Sequence, residues 1–101
     1  MVIITSTYLK PLTVIDALLA DHRKFLVECH RQSKFIYSGS QSPRIGEAIV
    51  ADIGIDEART IVKNDPLFIA GAADYQFVEF TPGRSNEDLF WQDKGPTYIF
   101  D

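Results

Sequence analysis

The feature that most constrains this chain is a change of hydrophobic period. Apolar residues recur at every second position, then at every third or fourth, then at every second again, and the whole cycle runs twice within 101 residues. A period of two marks a pleated strand and a period of 3.6 an amphipathic helix. The order read from the sequence is therefore strand, helix, strand, strand, helix, strand. At this length the chain has room for one hydrophobic core.

Val2, Ile4, Ser6 and Tyr8 alternate with Ile3, Thr5 and Thr7 until Lys10-Pro11 closes the run, which predicts the first strand. Thr13, with Asp16 three residues on, is a candidate helix cap, so the first helix is expected from Val14 to Gln32. Spaced at 100° per residue, Ile15, Leu18, Leu19, Leu26 and Cys29 fall on one stripe with Phe25 at its edge, and His22 falls at the stripe's centre. A second strand is expected at Lys34–Ser38, a Gly-, Ser- and Pro-rich loop at Gly39–Gly46, and a third strand at Ala48–Ile53. Asp56 and Glu57 open a second helix that must stop near Asn64, because Pro66 disfavours helical geometry at Asp65. Asp65 can in turn cap a short helical turn with Pro66 at its first position, ended by Gly71. Tyr75–Phe80 predicts the fourth strand, and Pro82-Gly83 ends the domain.

Right-handed crossovers in this order lay both helices on one face of a four-stranded antiparallel sheet, an α+β ferredoxin-like βαββαβ arrangement. The other face is left open. A sheet wetted on one side alternates cleanly, yet the third strand carries Ala48 and Val50 as well as Ile49, Ala51 and Ile53. A second copy of the same sheet is the simplest cover, and a homodimer is expected. The chain divides into a folded domain over residues 1–81 and a tail over 82–101, whose Phe90, Trp91, Tyr98, Ile99 and Phe100 are too aromatic for a simple disordered end. The tail is expected to dock on the body or on the partner.

A net charge of -4 with scattered basic residues argues against binding a phosphate backbone, so nucleic acid is not an expected partner. No apolar run reaches the ~20 residues that span a bilayer, and the first residues lack the pattern of a signal peptide. With a single cysteine, Cys29, the expected location is the cytoplasm.

A histidine on an apolar stripe is either a core residue bonded to a fixed acceptor or an acid–base group. Asp65 ends the second helical region on the same side of the sheet as His22. A carboxylate on one ring nitrogen would fix the tautomer and leave the other nitrogen for a substrate proton. Metal binding is not expected: His22 and Cys29 stand seven positions apart, about 10 Å along a helix, too far to share one ion. His30, at the stripe's flank, is expected to face solvent or a partner chain. The sequence holds no phosphate loop, nucleophile elbow or nucleotide fingerprint, and no cofactor is expected.

Taken together, Ala20-Asp21-His22-Arg23-Lys24-Phe25-Leu26, Tyr37-Ser38-Gly39, the helix containing Ala58, Asn64-Asp65-Pro66-Leu67-Phe68 and Ala70-Gly71 resemble the YciI-like, or YCII-related, proteins. The resemblance covers residues 1–81. It implies a dimeric α+β barrel and an active site built on a His and Asp pair, which maps onto His22 and Asp65, with Ser38 and Gly39 as binding positions. The fold's wider relatives include enzymes that isomerise small ring compounds or eliminate from them. Many members carry Ser-Gly-Pro where this chain has Ser38-Gly39-Ser40, and an Arg where it has Leu19. Three functions compete: a small-molecule isomerase or lyase, a non-catalytic binding or regulatory domain, and a structural assembly module. A cleft beside His22 favours the first, and a ring with both nitrogens bonded to protein favours the second.

Overall fold

A computed structural model describes residues 1–86. The elements follow in the order β1 (Val2–Tyr8), α1 (Leu12–Arg31), β2 (Phe35–Ser40), β3 (Glu47–Ala51), α2 (Ile55–Val62), α3 (Pro66–Ile69) and β4 (Ala73–Glu79). The four strands form one antiparallel sheet in the order β2-β3-β1-β4, the βαββαβ topology of the ferredoxin-like fold. The aromatic tail, with Trp91 and Phe100, lies for the most part outside the described residues.

Register carries the alternation of β1 through the sheet. Val2 and Ile4 are buried, and their partners Ala51 and Ile49 on β3 are buried with them. The intervening Ile3 pairs with Val50 on one side and Val78 on the other, so an apolar strip runs across the open face. Farther along β1 that face turns polar, where Thr5 and Thr7 meet Gln76 and Asp74.

The covered face holds two apolar clusters. Val2, Ile4, Cys29, Phe35, Ile49, Ala51, Ala58 and Val62 form one. Ile15, Leu67, Ala72 and Ala73 form the other. The long helix α1 spans both, supplying Ile15 to one cluster and Cys29 to the other.

Several boundaries differ from those expected from the sequence. The first helix starts at Leu12, with Pro11 as its cap and no side-chain cap bond, so Thr13 lies within the first turn and does not cap. The Pro11 carbonyl takes the first amides, those of Val14 and Ile15, and a proline just before a helix is already fixed at a compatible φ. Strand β2 runs on through Gly39 and Ser40, which pair with Ala48 and Glu47, and only the segment beyond them is loop. Strand β3 correspondingly begins at Glu47 and ends at Ala51, short of Ile53. Strand β4 starts at Ala73 rather than Tyr75, because Tyr8 at the end of β1 still offers a partner there.

Candidate active site

Midway along α1, His22 stands seven residues from both Ile15 and Cys29, and the three form the buried line of the helix. Two helical turns in each direction place it between the two apolar clusters. A polar ring at such a position needs partners, since an unpaired buried group costs about 1–3 kcal/mol. His22 has two. Its Nδ1 lies 2.8 Å from Asp65 Oδ1 and its Nε2 3.1 Å from Glu47 Oε1.

Both carboxylates are held by their own elements. Asp65 is the N-cap of α3: its Oδ1 also accepts from the Leu67 amide at 2.9 Å, and Pro66 follows in the first helical position. Its Oδ2 accepts from the Tyr75 hydroxyl at 2.6 Å. Glu47 opens β3 and points to the helix side, in register with the buried Ile49 and Ala51 two and four residues on. Its Oε2 accepts from Tyr8 at 2.9 Å and from Ser40 at 3.4 Å, while its backbone amide donates to Ser6 Oγ at 2.9 Å. The buried polar residues Ser6, His22, Glu47 and Asp65 are thus one connected network.

An ionised carboxylate only accepts hydrogen bonds, so a ring set between two of them is best served by a hydrogen on each nitrogen. Burial alone would push the His22 ring down. The hydrogen bonds to Asp65 and Glu47 outweigh it and lift the ring to about 9, an imidazolium at neutral pH. For Glu47, burial works upward, but the bonds from His22 and Tyr8 hold the carboxyl below its usual range. Burial and the Glu47 contact push the Tyr8 phenol up to about 12, so it stays a donor.

Beside this network opens a cavity of about 450 Å³. One wall is the face of α1 that carries Leu19, His22, Arg23 and Leu26, at helical spacing. The facing wall is the Ser38-Gly39-Ser40 stretch of β2 with Glu47 behind it. Arg44 and Asp16 form an ion pair at the rim. Ser38 and Gly39 therefore share one cavity with His22, whereas Asp65 reaches it only through the ring. His30, expected to face solvent or a partner chain, is half-buried: its Nε2 lies 2.8 Å from Ser38 Oγ, and its ring meets Phe35 edge-on. The register shift of β2 between Phe35 and Tyr37 sets Ser38 opposite the inward-facing Ile49 and so brings that hydroxyl beneath α1. Among the described residues, no group of three or more His, Cys, Asp or Glu side chains is arranged to hold a metal ion.

The sequence matches the model of the YCII-related domain over residues 1–81. The chain belongs to the YCII-related family. Among solved structures, the fold is similar to that of 5-chloro-2-hydroxyhydroquinone dehydrochlorinase from Burkholderia phenoliruptrix in complex with 2,5-dihydroxybenzoquinone. The TM-score is 0.67 at 20% sequence identity, covering 82% of this chain and 96% of that one. At that identity the likeness shows the fold alone. A search of the curated proteins found no match.

In this YCII-related chain the sequence reading passed over Glu47, the second partner of His22. The signal was present: Glu47, Ile49 and Ala51 alternate, which places a carboxylate on the inward face if the strand starts one residue earlier than expected. Tyr8 and Tyr75 were read as strand residues alone, although each hydroxyl caps one carboxylate of the network.

Proposed function

We propose that this YCII-related chain is a small-molecule enzyme of the acid–base type, an isomerase or lyase acting on a small ring compound, and that His22 and Asp65 form the core of its proton-handling machinery. The observation that carries this reading is a buried imidazole, held on each nitrogen by a carboxylate, in the wall of a cavity large enough for a small ring compound. Ser38 and Gly39 edge the same cavity and serve as binding positions. The similar fold of a dehydrochlorinase in complex with a small ligand supports a small-molecule role.

One observation favours the non-catalytic binding or regulatory alternative: both ring nitrogens of His22 are bonded to protein. The two readings separate by experiment. Thermal-shift measurements with a metabolite set that includes 2,5-dihydroxybenzoquinone should find stabilising ligands for the wild type, and each hit is then assayed for turnover. The enzyme reading expects hits that are consumed by the wild type and not by His22→Gln. Hits that bind but are never consumed would move the binding-module reading ahead.

The working form we propose is a homodimer closed through the open sheet face, where Ile3, Val50 and Val78 adjoin the exposed Tyr37. No helix among the described residues is long and apolar enough to cross a membrane. The one cysteine, Cys29, is a free buried thiol, which suits the reducing cytoplasm.

A further inference from the structure

We propose that Glu47, rather than His22, is the group that meets the substrate, and that it accepts a hydrogen bond from a hydroxyl carried by a small ring compound. The inference rests on the acid–base reading above and names the group that holds the substrate hydroxyl. Geometry makes the first argument. With a carboxylate at 2.8 Å from one nitrogen and another at 3.1 Å from the other, His22 spends both of its N–H groups and has no lone pair to offer a substrate.

Lone-pair capacity makes the second. A carboxylate has about four acceptor sites. Glu47 uses three, toward His22 from α1, Tyr8 from β1 and Ser40 from β2. Asp65 is likewise engaged by His22, Leu67 and Tyr75, but it does not line the cavity, whereas Glu47 does. The site left on Glu47 calls for a donor, and the neighbouring wall offers the apolar side chains of Leu19 and Leu26 to the body of the molecule that carries it.

In the complex the substrate O–H donates to Glu47 and keeps its proton, because the same bonds that hold the Glu47 carboxyl below its usual range make it a good acceptor and a weak base. The His22 imidazolium remains behind Glu47 as its counter-charge, and the guanidinium of Arg44, at the rim, lies 6.0 Å from the centre of the Tyr8 ring.

Catechol and 1,2-dimethoxybenzene, the same ring with both hydroxyls capped, are suitable probes. Binding is followed on the full-length protein by the methyl NMR signals of Leu19 and Leu26, and the protonation of His22 by its ring nitrogen shifts. Catechol should bind the wild type at least about tenfold more tightly than the capped ring, the effect of one hydrogen bond to a charged acceptor. Glu47→Gln should lose that preference, while Tyr8→Phe, which leaves the carboxylate in place, should keep it. Both nitrogens of His22 should stay protonated in the complex.

A preference retained in Glu47→Gln, or lost in Tyr8→Phe, overturns the assignment to Glu47 and leaves the acid–base reading standing. A His22 ring that turns neutral when catechol binds does the same, since the ring would then be the group exchanging the proton. If Glu47→Gln does not fold, the Tyr8→Phe and ring-nitrogen measurements still decide. Equal binding of both probes to the wild type, or binding of neither, overturns the hydroxyl-acceptor role outright, and in the second case the small-ring reading of the cavity falls with it.

Discussion

At the scale of the residue, the network around His22 makes stability depend on pH with a definite sign. Below pH 6.5 the ring is charged in both the folded and the unfolded chain, and the preference of the folded state for the charged ring contributes in full. Between 6.5 and about 9 the unfolded chain gives up its proton while the folded one keeps it, and the contribution drains away. The shift corresponds to roughly 3 kcal/mol across that window. Glu47, held below its usual range, acts oppositely: its contribution is present above pH 4.5 and is lost as the pH falls. Urea unfolding should therefore give a plateau between these limits and a falling midpoint toward pH 9, and a midpoint that stays level from 6.5 to 9 would contradict the charged ring. Asp65→Asn keeps an N-cap for Leu67 but removes one of the two charges that hold the imidazolium. In that variant the ring should titrate well below 9 by NMR, with about 1–3 kcal/mol of stability lost at pH 6.

At the scale of the element, the start of β3 is the critical junction, because it aims Glu47 at His22. Gly46 sits so close to β1 that an added Cβ would fall 1.6 Å from the Ser6 carbonyl oxygen. No flexible side chain is there to move aside, so the two strands must part. Gly46→Ala should cost on the order of 1–3 kcal/mol and should also disturb the His22 ring signals, since the Glu47 amide bonds to Ser6 at that same point. Unchanged His22 resonances would show that the strand start does not set the network. The contrast with Gly39 is instructive, as a Cβ there meets nothing within 4 Å.

At the scale of the whole molecule, the open sheet face is the feature a single chain leaves uncovered. Tyr37 is 71% exposed and Val78 60%, on either side of the central Ile3 and Val50. Large apolar side chains gathered on one flat face gain from burial against a second copy. Sedimentation at micromolar concentration should give twice the 11.4 kDa chain mass. Ile3→Lys places a charge in the middle of the face without entering the core, and it should yield a folded monomer. A wild type that sediments as a monomer would remove the dimer.

The sequence alone determined the element order, the single inward stripe of α1 and the place of His22 at its centre, because hydrophobic period and helical spacing are local properties that each segment carries in its own residues. It also supplied Asp65, whose capping position is fixed by the proline that follows. Pairing between distant elements is different in kind. That Glu47 closes the second nitrogen of His22 depends on β3 starting one residue early and on Gly46 approaching β1, and that His30 meets Ser38 depends on the register shift of β2 between Phe35 and Tyr37. Those contacts join residues 25 and 8 positions apart, and their register is chosen by the whole sheet rather than by any strand alone. The tertiary structure therefore decided which partners the histidine has, and with them whether its ring is a free base or a charge held between two acids.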